Sequence, residues 1–223
     1  MAKTIAVIAP HPDDETLGCG GTLLRHIQEG DQVHWLILTE MTQAGGFSTE
    51  QILKRQREIK QVTEQYRFRS IQGLQWPATF LDTVPLREIT SGVHKYFQEI
   101  QPEVIYVPYR GDAHTDHRIV FDAVAAAGKW FRQSGLRRIL AYETLSETEL
   151  GIDPGDKGFR PNVFVDIGEF LEKKIEILKI YAGEVGEFPF PRSIDAVNAL
   201  AAFRGAAAGC RAAEAFMLLK EIM

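Results

Sequence analysis

Three acids and a histidine stand close together near the start of the chain, in the segment Pro10-His11-Pro12-Asp13-Asp14-Glu15. Imidazole and carboxylate groups are costly to bury in a core, but they are the ligands that catalytic zinc sites use. The apolar run 5–9 precedes them and is bounded by prolines, which predicts a buried strand that ends abruptly. Open α/β sheets bind their ligands at the carboxyl ends of strands. The segment therefore predicts a metal-dependent active site at that edge of a sheet.

A second polar cluster follows the predicted strand 104–107. It covers residues 109–117 and contains Asp112, His114, Asp116 and His117. The carboxyl ends of parallel strands open on the same edge of a sheet. If the two strands are neighbours, both clusters converge on one site. Taken singly, either cluster is equally compatible with a solvated turn or helix face.

The converged residues supply a set of ligands for one metal ion. Catalytic zinc sites use three protein ligands and leave one position for water. His11, Asp14 and His117 provide such a set, so we expect them to bind the metal. Asp13 is then free to act as the general base, because a metal lowers the pKa of its water towards about 7.

The remaining groups of the second cluster have predicted catalytic and orienting roles. His114, held in place by Asp116 or another acid, is expected to stay protonated and to stabilise an oxyanion or protonate a leaving amine. Asp112 is expected to orient a ligand histidine. Glu15 has a simpler interpretation, since an acid in a first helical turn favours the helix dipole.

The remaining chain alternates predicted strands and helices. Strands are predicted at 5–9, 33–39, 69–74, 104–107, 138–143 and 163–166, and helices at 14–28, 48–66, 85–100, 118–131, 168–182 and 194–208. Residues 214–220 fit either a helix or a strand. This rhythm predicts an α/β fold, a Rossmann-like, mostly parallel sheet with helices on both faces. The first helix contains Gly18, Gly20 and Gly21, which predicts close packing against a strand or close approach of a ligand.

Composition excludes several classes of protein. The 223 residues are 45% hydrophobic, which suits a single domain spanning 1–223. A formal charge of −5 and the lack of a long basic run argue against nucleic acid as the main partner. No apolar stretch approaches the roughly 20 residues of a membrane span, so we expect a cytoplasmic protein. Cys19 and Cys210 form no disulfide framework.

The two clusters together resemble those of the PIG-L/LmbE-like deacetylases. That family pairs Pro-His-Pro-Asp-Asp-Glu near the N-terminus with Asp-x-His-x-Asp-His about a hundred residues later. Weaker similarities extend along the chain in the same order: Arg55-x-x-Glu58, residues 102–105, residues 161–167 and residues 213–216. The resemblance therefore covers nearly the whole chain.

The resemblance implies a function and its residues. Family members are zinc-dependent enzymes that remove acetyl from N-acetylglucosamine-type sugars and related small conjugates. We therefore expect Zn²⁺ as the cofactor of this chain, and the sequence leaves Fe²⁺ open as its native metal. Matching positions make His11, Asp14 and His117 the metal ligands, Asp13 the general base and His114 the second catalytic group. Asp116 is predicted to act beside that histidine.

Two arginines are the candidates for binding the substrate. The family similarity favours Arg55 over a plain charged helix face, and Arg192 is placed to meet an anionic substrate group. The chain departs from the family pattern in two places: near Glu184, where members often carry Ser-Gln, and at Ala212, where many members have tyrosine. Both departures are expected to lie where the substrate pocket is completed.

Two other functions compete with an N-acetyl hydrolase acting on a small-molecule substrate. The first is a metal-dependent hydrolase of another amide, an ester or a phosphoester. The second is a non-catalytic sugar or nucleotide binder on the same sheet, which would not need the free carboxylate of Asp13. The sequence leaves the exact substrate open, and it is compatible with a homo-oligomer.

Overall fold

The protein is described by a computed structural model that covers residues 2–153 and 155–223. Its strands are β1 Thr4–Ala9, β2 Gln32–Glu40, β3 Ser70–Pro77, β4 Val104–Pro108, β5 Arg138–Tyr142, β6 Val163–Asp166 and β7 Ala213–Glu221. Its helices are α1 Asp14–Gln28, α2 Thr49–Tyr66, α3 Leu86–Ile100, α4 Thr115–Ala127, α5 Leu171–Leu178 and α6 Ile194–Ala208.

All seven strands belong to one sheet, in the order β3-β2-β1-β4-β5-β7-β6. The first five strands of this order run parallel, and β7 pairs antiparallel with both β5 and β6. The predicted Rossmann-like α/β class is therefore confirmed. Strands β2 and β3 follow on one side of β1, and β4 and β5 follow on its other side. The gap between β1 and β4 is therefore the topological switch point, where such folds bind ligands.

Helices cover both faces of the sheet, as predicted. On one face α1, α2, α5 and α6 pack around a cluster that includes Trp35, Tyr66 and Tyr142. On the other face α3 and α4 pack around Leu36, Tyr96 and neighbouring side chains. The central strands β1, β2 and β4 are buried from both sides and consist of near-continuous apolar runs.

Several predicted boundaries change. Residues 214–220, left open between helix and strand, belong to β7. Helix α4 ends at Ala127 instead of near residue 131, because Gly128 caps it and Trp130 and Phe131 are exposed, with little to bury in a further turn. Helix α5 is also shorter than predicted. It begins later because the Gly168 N–H bonds to Asp166 in a turn, and it ends at Leu178, after which the Ile180 and Tyr181 N–H groups bond to carbonyls three residues back.

The glycines of α1 serve close packing. A Cβ atom added at Gly18 would lie 2.2 Å from the Tyr142 ring, and one at Gly21 would lie 2.7 Å from Ile167. Tyr142 is fixed in turn, because its hydroxyl donates to the carbonyl of Ile8 on β1 at 2.9 Å. Of the two explanations for these glycines, the structure supports close packing: Gly18 packs against β5, Gly20 against Tyr66 and Lys174 of α2 and α5, and Gly21 against the residue that follows β6.

A buried ion pair occupies a break in α1. Cys19 has φ −144° and ψ 18°, which interrupts the helical hydrogen bonds on either side of it. The Glu214 carboxylate accepts from the Gly21 and Thr22 N–H groups at 2.9 and 2.7 Å. Lys174 Nζ lies 2.7 Å from Glu214 and donates to the Leu17 carbonyl at 2.9 Å. Backbone groups on both sides of the break are thus satisfied by side chains from β7 and α5.

The described residues form no helix that is both long enough and apolar enough to cross a membrane.

We expect Glu214→Gln to lower the free energy of unfolding by about 3 kcal/mol or more, because it leaves the buried Lys174 charge without its partner. The matched control is Glu29→Gln, which removes an exposed pair with Arg25 and should change stability by less than about 0.5 kcal/mol. Chemical denaturation measures both values. Equal effects of the two substitutions would contradict a structural role for the buried pair.

Candidate metal centre and active site

The two sequence clusters meet at the carboxyl edge of the sheet. Strand β1 pairs in parallel with β4, so the loop after β1 and the loop leading into α4 lie side by side. The His11 ring centroid is 4.6 Å from that of His114 and 5.7 Å from that of His117. The adjacency predicted from the sequence is present.

Three side chains present their donor atoms to a common point. Asp14 lies between two histidines, with Oδ2 3.4 Å from His11 Nδ1 and Oδ1 3.4 Å from His117 Nε2. One donor atom from each of the three residues lies within 4.8 Å of the others. This is the ligand number and chemistry of a catalytic zinc site.

Each histidine of this group is held through its other nitrogen by a carboxylate. His11 Nε2 lies 3.0 Å from Asp116 Oδ2, and His117 Nδ1 lies 2.7 Å from Asp112 Oδ2. Asp112 is itself fixed by the Thr148 hydroxyl, which donates to it at 2.6 Å. Carboxylate–histidine pairs of this kind set the tautomer and the ring orientation of metal ligands. The predicted orienting role of Asp112 thus agrees with its position.

The electrostatics of the group favour a cation. Burial lowers the pKa of His11, but its hydrogen bonds to Asp116 and Asp14 outweigh burial and raise the pKa to about 9. Burial likewise opposes a charged His117, yet Asp14 and Asp112 hold its pKa well above the usual value. The two histidines overcome the effect of burial on Asp14 and hold its pKa far below its usual range. Positive charge is therefore stabilised at this point, and the residues fit a divalent metal.

Two other groups of donor atoms in the described part of the chain are less suited to a metal. His11, His114 and Asp116 form one, but the Asp116 carboxylate already accepts from the N–H groups of Thr79 and Leu81. The other consists of His26, Glu29 and Asp31, in which both ring nitrogens of His26 are occupied, by Asp31 and by Tyr106.

Asp13 has a strained backbone and a free side chain. Its φ of 134° lies in the left-handed half of conformational space, at a cost of about 1–3 kcal/mol that functional sites commonly bear. It precedes α1, yet its carboxylate forms no capping bond within the described part of the chain. Burial and the nearby acids Asp14 and Glu184 raise the pKa of this carboxyl well above its usual value. A cavity-lining carboxylate of raised pKa suits a general base.

Glu15 is fully buried, not at the solvent face of a helix. Its carboxylate accepts from the Thr16 and Tyr181 hydroxyls at 2.6 and 3.0 Å and from the Asp13 N–H at 3.0 Å. Burial raises its pKa to about 7. Glu15 therefore fixes the strained turn that carries Asp13, beyond the simple dipole role expected of a first-turn acid.

The expected pairing of His114 with the Asp116 carboxylate is wrong. That carboxylate contacts His11 instead, and His114 Nδ1 accepts a hydrogen bond from the Asp116 backbone N–H at 3.1 Å. Burial and the neighbouring His11 lower the pKa of His114 to about 4. His114 is therefore a neutral imidazole at pH 7, not a protonated one, and its proton resides on Nε2.

The two predicted substrate-binding arginines are joined by Glu184. Arg55 donates to the Pro12 carbonyl at 2.8 Å and forms an ion pair with Glu184. Arg192 donates through Nη2 to the same carboxylate at 3.2 Å and through Nη1 to the Ser146 hydroxyl at 2.9 Å. Both arginines line the cavity described next, but each is already paired within the protein.

One cavity of about 660 Å³ lies over the metal-ligand group. We call its two walls the polar wall and the apolar wall. The polar wall consists of Asp13, Arg55, His114, Thr144, Glu147, Glu184 and Arg192. The apolar wall consists of Ile37, Met41, Phe47, Ile52, Ile59, Ile71 and Gly73, on segments that also bring Glu40, Gln56 and Gln75 to the lining. Thr144 Oγ1 is buried and makes no hydrogen bond among the described residues.

Thr144 and Glu147 line the cavity but were not among the predicted site residues, although their position in the sequence could have indicated them. Both follow β5, which is parallel to β4, so the rule applied to the first two clusters extends to them. The departure near Glu184 was correctly expected to lie at the pocket. The expectation for Ala212 is wrong, because that residue packs against Ile167 and Ala201 in a separate apolar cluster.

Comparison with known proteins agrees with this geometry. The profile of the family described as PIG-L, GlcNAc-PI de-N-acetylase, matches residues 6–128, which include every predicted metal ligand. The chain belongs to the PIG-L family.

Among curated PIG-L relatives, a probable N-acetyl-α-D-glucosaminyl L-malate deacetylase 2 of Bacillus anthracis is 27% identical over 190 residues, covering 82% of this chain and 81% of the relative. The diacetylchitobiose deacetylase of Thermococcus kodakarensis is 28% identical over 232 residues, covering 95% and 81%. The solved structure of the conserved protein TT1542 from Thermus thermophilus superposes with a TM-score of 0.77 at 26% identity, covering 100% and 97%.

We expect Asp112→Ala to weaken Zn²⁺ binding by about 10- to 100-fold, because the His117 ring loses the carboxylate that orients it. Asp122→Ala is the matched control, since that acid lies on the same helix as His117 but pairs with Arg110 outside the cavity. Competition with a chromogenic chelator gives both dissociation constants, and Asp112→Asn should fall between them. Unchanged affinity in Asp112→Ala would contradict the assigned ligand set.

Proposed function

We propose that this PIG-L family chain is a metal-dependent hydrolase that removes the N-acetyl group from a small N-acetylglucosamine-type conjugate, with Zn²⁺ as its metal and Fe²⁺ as the alternative. The observation that carries the proposal is the group His11, Asp14 and His117 beside the buried, cavity-lining carboxylate of Asp13. The deacetylase names of the two curated relatives support the same reaction.

When bound by His11, Asp14 and His117, the metal would supply Lewis-acid polarisation and a lowered pKa for water. The carboxylates of Asp112 and Asp116 would hold the two histidines in position for it. Asp116 is then a positioning residue in this proposal, acting through His11, in place of the catalytic role expected beside His114.

Asp13 carries the proton in the proposed reaction. Its carboxylate accepts a proton from the attacking water as the new C–O bond forms at the amide carbon. The same proton then passes to the amide nitrogen as the C–N bond breaks. The products are the free amine and acetic acid, which ionises to acetate, so that water is the only other reactant. The pKa of Asp13 is raised by burial and by the nearby acids, which makes its carboxylate a stronger proton acceptor than an ordinary aspartate and suits the first step.

His114 stabilises the oxyanion in this proposal. Because Nδ1 accepts from the backbone, Nε2–H is the donor available to the negative oxygen that forms during attack. A neutral, positioned donor in a buried site lowers the barrier without a change in its own charge. Thr144, whose buried hydroxyl has no partner among the described residues, is suited to a sugar hydroxyl. Arg55 and Arg192, braced by Glu184, are proposed to shape this side of the pocket.

The direct test is acetate release from N-acetylglucosamine conjugates by the zinc-loaded protein and its Asp13→Asn variant. This substitution keeps the size of the side chain, but the amide cannot take up a proton at pH 7. We expect kcat to fall by about 10²–10⁴-fold while the bound zinc stays unchanged. Asp122→Asn, which alters an acid outside the cavity, should retain full activity.

Other results would favour the competing functions. Equal acetate release by Asp13→Asn would remove Asp13 as the base. No release from any conjugate, with zinc still bound, would point to a different scissile bond. Conjugate binding without any hydrolysis, unaffected by the substitution, would point to a non-catalytic binder.

A further inference from the structure

The apolar wall of the cavity has no part in the reaction described above. An acetyl group has only two carbons and must lie at the metal-ligand group, so it cannot account for this wall. The wall is built from one helix face, two strands and the loop between β2 and α2. Whatever contacts it belongs to another part of the substrate.

The fold leaves this wall uncovered. Ile52 and Ile59 lie on the side of α2 that faces the cavity, while Ile71 and Gly73 lie on the same face of the edge strand β3. Ile71 remains 38% exposed, although the opposite face of β3 packs against α3 through Leu74 and Trp76. The apolar side chains therefore border open space in the folded chain.

Gly73 keeps that space open. A Cβ atom added there would meet only Gln75 Cγ, at 4.0 Å, so neither crowding nor close packing requires a glycine. It pairs with Ile37 on β2 immediately before a β-bulge, and glycine often occurs at such a position in a strand. Any larger side chain at this position would project into the cavity. The glycine of this bulged strand therefore also leaves room for a ligand at this point of the cavity.

The charges of the cavity disfavour an anionic occupant. Five carboxylates line it: Asp13, Asp14, Glu40, Glu147 and Glu184. The two guanidinium groups, Arg55 and Arg192, are both paired with Glu184. A bound divalent metal would offset two of the negative charges, but the cavity would remain net negative. A negatively charged group on the substrate would therefore meet a net acidic cavity.

We infer that the apolar wall binds an uncharged, apolar aglycone attached to the N-acetylated amino sugar. This inference rests on the proposed function and specifies the conjugate: an alkyl- or aryl-type substituent, instead of an acidic one such as malate. The polar wall would contact the sugar, and the aglycone would lie between α2 and β3 against Phe47 and the isoleucines.

The test compares methyl and hexyl N-acetylglucosaminides as substrates of the zinc-loaded protein. We expect kcat/KM for the hexyl glycoside to exceed that for the methyl glycoside by at least about tenfold. Burial of about two methylene groups, each worth ~0.8 kcal/mol, is sufficient for that ratio. N-acetylglucosaminyl L-malate should be a poorer substrate than the hexyl glycoside.

Variants of the apolar wall test whether the preference for the hexyl glycoside arises there. Gly73→Leu should bring the hexyl-to-methyl ratio close to one, because leucine fills the space that the aglycone needs. Gly135→Leu is the matched control, since a side chain there meets open space in a turn outside the cavity, and its ratio should stay at the wild-type value. Ile71→Thr, which keeps the β-branched shape but replaces the ethyl branch with a hydroxyl, gives a second variant with an intermediate ratio.

Each outcome decides one claim. Hydrolysis of both glycosides at equal kcat/KM, or a wild-type ratio in Gly73→Leu, would overturn the inference alone. Faster hydrolysis of N-hexanoylglucosamine than of the hexyl glycoside would assign the wall to the acyl group and overturn the aglycone assignment. If neither glycoside is hydrolysed, calorimetry decides: tighter binding of the hexyl glycoside, lost in Gly73→Leu, would support the apolar subsite while the proposed function fails.

Discussion

The parallel pairing of β1 with β4 is the constraint on which the site depends. Residues 5–7 of β1 pair with residues 104–106 of β4, and this brings two segments about a hundred residues apart to the same sheet edge. His11 and Asp14 come from one segment and His117 from the other, so neither segment alone offers three ligands. Asp116 ties the segments together further, because its carboxylate contacts His11 and the backbone of residues 79–81.

Helix α1, which begins at this edge, is stabilised by residues from the C-terminal part of the chain. Its first half carries Asp14 and follows the strained Asp13, while its break at Cys19 is satisfied by Lys174 and Glu214. Burying an ion pair is seldom the most stable solution for a core. Here the pair supplies hydrogen bonds that the broken helix lacks. A carboxylate on the C-terminal strand β7 thereby stabilises the helix that carries Asp14.

Local sequence patterns predicted most strands, the helices on both faces and the convergence of the two clusters. They could do so because apolar periodicity and strand ends are determined by short stretches of consecutive residues. The side-chain pairings could not be predicted in that way. Asp116 contacts His11 instead of His114, which depends on the separation of two loops rather than on spacing along the chain. The open space beside Gly73 and the uncovered face of β3 could not be predicted either, because a face that lacks a packing partner has no distinctive sequence pattern. The break in α1 appeared only as an excess of glycine.

The most direct measurement is a titration of metal-free protein with Zn²⁺ in which bound zinc and acetate release from an N-acetylglucosaminide are followed in the same sample. We predict no release without metal, a rise in rate proportional to bound zinc, and a plateau at one zinc per chain, since His11, Asp14 and His117 form one three-ligand group. Full activity of the metal-free protein would contradict a metal-dependent hydrolase. Saturation of the zinc site without any acetate release would contradict N-acetyl hydrolysis as its reaction.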